Sequence, residues 1–281
     1  MKLESGCLPC IVNQSYIASR MLGIINPEIQ KKIIKETMSA LLEFDYNHAS
    51  PYFSTKLQSI VCKYSRGKNL YKKIKKNNYV IVKKFVPILE RMIGNAKDKL
   101  ETAVRLAIIG NTIDIGANPV FNLEKEIENI YTNVNMDNFK NFKTEFQKAK
   151  TILYIADNFE EALFDKFLIE QLYPKEVVFA VRSKEILNDI TIKDCKFLRI
   201  DRLCRVIESG SEITGTDLQN ANSEFKKLFK NSDLIISKGQ GNLETLFEVK
   251  RRIYFMFKVK CEVISKKTGY PLGSGVIFIN K

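Results

Sequence analysis

From Thr151 onward the chain alternates short apolar, β-prone runs with segments of helical periodicity. That alternation argues for a mainly parallel sheet with helices on its faces. The runs predict strands over 152–156, 177–181, 197–200, 205–208, 234–236, 253–259 and 276–279, with helices over 160–172, 222–229 and 242–247. The sharpest instance is Thr151-Ile152-Leu153-Tyr154-Ile155-Ala156, then Asp157-Asn158-Phe159-Glu160-Glu161, then an apolar helical pattern from Ala162 to Ile169. This reads as strand, acidic turn, helix. Open α/β sheets bind ligands at the carboxyl ends of their strands. A carboxylate and an amide there are hard oxygen donors for a cation such as Mg²⁺ or Mn²⁺. The unpaired N–H groups that open the following helix suit a phosphate.

The first part of the chain reads as helical. Asn26 before Pro27 supplies an N-cap and an N1 proline for a helix over 27–44. Helical spacing continues over 51–63, 70–93 and 97–109, the last stopped by Gly110, although Tyr79 to Val82 is β-prone. Residues 122–148 read as two short polar-faced helices. The expected fold is therefore α/β: a helical N-terminal domain on a Rossmann-like, mainly parallel sheet flanked by helices. The helical domain is expected over 1–100 and the α/β domain over 101–281, with the boundary between 95 and 150.

Composition narrows the function. The chain has 281 residues, 45% of them hydrophobic, with no apolar run long enough to span a bilayer. Its first residues lack the apolar core of a signal peptide, so the cytoplasm is the expected location. The net charge is +13, and the densest basic stretch holds Arg66, Lys68, Lys72, Lys73, Lys75, Lys76, Lys83 and Lys84. It reads as a lysine-rich solvated helix face, and nucleic acid is not the expected partner. His48 is the single histidine, in a loop-like run. Catalysis is therefore expected to rest on carboxylates, a metal and lysine. Six cysteines include one close pair, Cys7 and Cys10. This CxxC is half a metal site, a redox-sensitive pair or two buried thiols; a structural zinc site would want two more soft ligands.

Further clusters fall at strand ends. Leu187-Asn188-Asp189-Ile190-Thr191 offers a second carboxylate, or a turn with a helix cap. Ser237-Lys238-Gly239-Gln240-Gly241-Asn242 follows a buried-looking strand. Its glycines let backbone N–H groups approach an anion and Lys238 supplies a point charge, without Walker spacing. Gly110-Asn111-Thr112-Ile113-Asp114 presents Asn111 and Asp114 three residues apart, or simply stops a helix.

Together these segments resemble the damage-control phosphatase family, formerly catalogued as domain of unknown function 89, and most closely its small microbial branch. The resemblance runs from CLPCIVNQ at Cys7 through GNTID at Gly110, DNFEEALFD at Asp157 and LNDIT at Leu187 to SKGQGNLETL at Ser237. It implies a divalent-metal-dependent phosphatase, with Mn²⁺, Co²⁺, Ni²⁺ or Mg²⁺, acting on small phosphorylated metabolites such as sugar phosphates. By matching motifs it makes Asp157, Asn158 and Asp189 metal ligands and catalytic residues, with Lys238 also catalytic. Asn111, Asp114, Lys238 and Gly239 fall on the substrate side. Where the family usually has glycine, as in DNAGE, this chain has Glu160. That carboxylate is expected either to point to solvent or to narrow the substrate range by repelling phosphate. The alternatives are a non-catalytic phosphometabolite-binding protein and, behind it, a nucleic-acid-binding protein.

Overall fold

The computed structural model describes residues 1–65, 70–112 and 123–280. Asp114, with Arg66 and Lys68 of the basic stretch, lies outside the described residues. The chain opens with helices α1 (Cys7–Met21), α2 (Pro27–Leu42), α3 (Ser54–Lys63), α4 (Leu70–Lys83), α5 (Val86–Asn95) and α6 (Lys99–Gly110). Helix α2 starts as its sequence predicts: the Asn26 side chain accepts from the N–H groups of Glu28 and Ile29, with Pro27 in the first turn. The segment expected as one helix over 70–93 is two, because Pro87 in the first turn of α5 forces a new start. Tyr79 to Val82 stays helical within α4 despite its β propensity, since packing overrides a weak local preference.

Next come α7 (Leu123–Glu128), α8 (Ile130–Asn133), strand β1 (Val134–Asn135) and α9 (Phe139–Lys148), so 122–148 holds three helices and a short strand rather than two helices. The alternating part follows as β2 (Thr151–Ile155), α10 (Ala162–Leu172), β3 (Glu176–Val181), α11 (Ile192–Leu198), β4 (Arg205–Glu208), α12 (Ser223–Asn231), β5 (Leu234–Lys238), α13 (Gln240–Leu246), β6 (Tyr254–Lys258), α14 (Glu262–Thr268) and β7 (Gly275–Ile279). The strand expected over 197–200 is instead the end of α11 and a 3-10 turn. Thr191 and Asp194 form a capping box that starts a helix there, and Arg199 ends it in the left-handed region.

The seven strands form one sheet in the order β1-β7-β6-β5-β2-β3-β4. Among these described strands only the β6–β7 pairing is antiparallel. From β2 the chain winds outward to β3 and β4, then returns to place β5 on the other side of β2. The strand order reverses between β2 and β5, and a crevice forms at such a switch point. Strand parity splits the core: Ile152 and Tyr154 face one apolar cluster with α5, α6 and α10, while Leu153 and Ile155 face another with α12 and α13. Fully burying each of the aliphatic chains Ile152, Leu153 and Ile155 contributes about 1.5–3 kcal/mol. Helices α1 to α3 hold a third cluster around Ile11, Ile33, Phe53 and Val61. Among the described residues no helix is long and apolar enough to cross a membrane.

Candidate functional site

At the carboxyl end of β2 the backbone leaves the sheet and pairs with the loop after β3. Phe159 N–H donates to Asn188 O at 2.9 Å and Ile190 N–H to Asp157 O at 2.9 Å, making a bridge between Asn158 and Asp189. This brings Asp157, Asn158 and Asp189 together, although 30 intervening residues of sequence (159–188) hide the connection between the two segments. The Asp157 carboxylate accepts from Asn158 Nδ2 at 3.0 Å and from Asn111 Nδ2 at 3.2 Å, both on Oδ2. Arg182, the residue after β3, joins the two acids: its Nε donates to Asp189 Oδ2 at 2.6 Å and its Nη2 lies 3.6 Å from Asp157 Oδ1. Arg182 Nη1 is buried with no hydrogen-bond partner among the described residues. Asn242 on α13 ties the switch point shut, donating to Ala156 O and Lys238 O and accepting from Arg182 Nη2 and Thr216 Oγ1.

Gly239 explains why glycine stands after β5. Its φ is +79°, and a Cβ there would fall 1.8 Å from Asp157 Oδ2. The glycine makes room for the carboxylate rather than offering its amide to an anion, since its N–H donates to Met256 O at 3.1 Å.

Behind Asp157 lies a buried ionic network. Asn111 donates from the same Nδ2 to Glu161 Oε2 at 2.6 Å, and its Oδ1 accepts from Lys258 N–H at 3.2 Å. Lys238 Nζ donates to Ala107 O at 2.8 Å, Glu161 Oε1 at 3.2 Å and Asp165 Oδ1 at 2.7 Å. Tyr154 Oη donates to the same Asp165 oxygen at 2.7 Å. Lys238, Glu161 and Asp165 are all 0% exposed. Burial alone would lower the Lys238 pKa, but Asp165 and Glu161 outweigh it and hold the ammonium above its ordinary value. Asp165 is pushed up to about 6 by burial, against the pull of Lys238. So the substrate-side point charge expected of Lys238 is committed internally, with all three donors used, and Asn111 likewise supports Asp157 from behind.

Glu160 does not point to solvent. It is 0% exposed and accepts from Asn78 Nδ2 at 2.8 Å and Asn188 Nδ2 at 3.1 Å. Burial pushes its carboxyl up to about 7. The basic helix α4 correspondingly has two faces. Lys72, Lys73, Lys76 and Lys83 are exposed, as a solvated face predicts. Lys75 is buried and donates to Asp189 O at 2.6 Å and Asp194 Oδ2 at 2.8 Å, clamping α4 onto the loops at the strand ends.

In front of Asp157 opens a pocket of about 210 Å³. Asp157, Asn158, Asn188 and Asp189 form its polar end. Gln240, Glu244 and Lys260 add to it, and Lys260 is the one basic side chain among the described lining residues. Ile11, Ala18, Met21, Phe53, Leu57 and Ile74 make an apolar wall from the N-terminal helices. Lys238, Gly239, Asn111 and Glu160 do not line it. The sequence alone assigns a role at the site neither to Lys260, which lies in a segment (257–264) that resembles the family's late strand region, nor to Arg182. A charged residue immediately after a strand run was a local signal for both, Arg182 after 177–181 and Lys260 after 253–259.

The donors at the polar end suit a cation. Asp157 is held well above the usual carboxylate range, first by burial and then by the neighbouring Glu161 and Asp189, with Arg182 and Lys260 only partly offsetting. Crowded acids of this kind are relieved by added positive charge. Among the described residues no three His, Cys, Asp or Glu side chains make a ready ligand set, so the fitting donors are two carboxylates and the Asn158 carboxamide, all oxygen.

Known proteins share this architecture. The sequence matches the damage-control phosphatase ARMT1-like domain over residues 3–276. A damage-control phosphatase of Pyrococcus horikoshii is 33% identical, with 100% of this chain and 99% of that protein covered. An uncharacterised protein of Methanocaldococcus jannaschii is 33% identical over 99% of this chain and 95% of its own length. The crystal structure of a DUF89-family protein from Pyrococcus horikoshii superposes with a TM-score of 0.84 at 30% identity, covering 100% of both chains. The chain thus belongs to the damage-control phosphatase ARMT1-like family.

Proposed function

We propose that this protein is a divalent-metal-dependent phosphatase that hydrolyses small phosphorylated metabolites. The observation that carries the reading is the pair Asp157 and Asp189, bridged by Arg182 at the switch point and facing a pocket with Lys260 on its wall. Asp157, Asn158 and Asp189 would hold Mn²⁺, Co²⁺, Ni²⁺ or Mg²⁺, which supplies Lewis-acid polarisation of a phosphoryl oxygen. The chain supplies the remaining functions. Lys260 offers a positive charge to the transferring group, a role in which preorganised charge is effective because it needs no rearrangement. Arg182 holds the two acids together through Nε and Nη2, so it is a positioning residue. Asn111, Glu161 and Lys238 fix the Asp157 carboxylate from behind, so they act as positioning residues. The non-catalytic alternative drew on Glu160, whose contacts with Asn78 and Asn188 keep it off the pocket lining, so it gains no support.

The apolar wall bears on the substrate. A ligand hydroxylated on every side would leave its polar groups unpaired there, so a phosphate ester with one apolar face fits better than a bare sugar phosphate. Phosphate release should be measured on metal-stripped protein given each metal in turn, with hexose phosphates and an aryl phosphate. The expected result is metal-dependent turnover, faster on the aryl ester, and lower by roughly three orders of magnitude in Asp157→Asn. Equal turnover in that variant under saturating metal would sink the assignment.

A further inference from the structure

The phosphoryl chemistry leaves Cys7 and Cys10 unused, and by sequence they stand two ligands short of a structural metal site. The fold brings two more donors to them. Cys7 opens α1 and Cys10 lies one turn on, so both thiols share a helix face and both line the pocket. Cys261, the residue before α14, lines the same pocket from a distant part of the sequence. The two helix starts touch: a Cβ on Gly6 would meet Val263 at 3.3 Å. Glu244 on α13 is the fourth donor. Ser50 Oγ donates to its Oε2 at 2.6 Å, and Gln240 Nε2 donates to its Oε1 at 3.0 Å while lying 3.6 Å from Cys261 Sγ. Cys62, Cys195 and Cys204 do not line this pocket.

We propose that Cys7, Cys10, Cys261 and Glu244 form a second site, for a thiophilic divalent cation of the zinc class. The inference goes beyond the phosphatase reading and does not rest on it. Three sulfurs and one carboxylate make a four-donor set suited to tetrahedral coordination. The thiols do not close on one point in this structure; the ion draws them together, and each thiol that binds gives its proton to solvent. A redox CxxC is activated by a neighbouring positive group, whereas burial first, and then Glu244 and Cys261, push the Cys7 and Cys10 thiols up here. An ion at this place would clip α1 to α14 and thereby fix the apolar wall that α1 contributes to the pocket.

The test is titration of the reduced, metal-stripped full chain with Cd²⁺, reading the thiolate-to-cadmium charge-transfer band, to which oxygen ligands do not contribute. The band should saturate at one equivalent, vanish in Cys10→Ser and in Cys261→Ser, and persist in Cys62→Ser. Glu244→Gln should keep the band with an affinity lower by about tenfold or more. Circular dichroism of each variant separates lost ligation from lost folding. A folded wild type with no band overturns the proposal, as does a full band in Cys261→Ser. A Cys7–Cys10 disulfide formed with a small-molecule disulfide, with no band in the reduced protein, assigns a redox pair instead.

Discussion

Lys238 and Lys260 reach the surroundings of Asp157 from opposite sides. Lys238 comes from β5 into the packed space between the sheet and helices α6 and α10, where it is 0% exposed and paired with Glu161 and Asp165. Lys260 follows β6, is half-buried and lines the pocket. A buried ammonium held by two carboxylates is locked in position and in charge. One on a pocket wall faces the space a ligand would occupy, where fixed charge is effective in catalysis. The region behind Asp157 is therefore read as scaffold that fixes the carboxylate, and the region in front as the surface that meets substrate. The same change at the two lysines should move different observables.

Lys238→Met should have the largest effect on stability. It leaves Glu161 and Asp165 buried without their cation, a change that typically costs about 3–5 kcal/mol. Denaturant midpoints should fall accordingly, and turnover should fall with them because Asn111 and Glu161 no longer hold Asp157. A variant as stable as the wild type would mean that Lys238 is not the centre of the buried network.

Lys260→Met should invert that pattern. Stability should fall by less than in Lys238→Met, because Lys260 is only half-buried, while kcat/KM drops roughly 10²-fold, the loss expected for one charge-stabilising donor. Unchanged kcat/KM would remove Lys260 from the site, and a large loss of stability would erase the contrast with Lys238.

How much of this arrangement the sequence disclosed follows from where each signal lies. The strand–acidic turn–helix run displayed Asp157 and Asn158 because all three signals are contiguous. Asp189 was found by its place beyond a strand, but its partnership with Asn158 is a backbone bridge between separate segments. Lys238 was found at a strand end, and its side chain turns into the packed interior. Strand parity held the answer: Leu234 and Ile236 face the cluster shared with α6 and α10, and Lys238, two residues on, faces it too. Lys260 and Cys261 stand at the end of a predicted strand, but the sheet order is what places that strand end beside the switch point. The 197–200 run misled because its apolar residues suit a strand or a buried helix end equally, and the Thr191–Asp194 box decides between them.

Glu160 gives the finest test, since it sits between the two regions. It departs from the family glycine, yet Asn78 on α4 and Asn188 hold it away from the pocket lining. If it belongs to the scaffold, Asn78→Ala should cost about 1–3 kcal/mol, the usual result of leaving a buried polar group short of a partner. Turnover should then stay near that of the unmodified protein, because Asn78 touches no pocket-lining acid. If instead turnover falls as far as in Lys260→Met with stability intact, Glu160 faces the substrate. The boundary between scaffold and reacting surface would then have to be redrawn to put the α4 contact in front of Asp157.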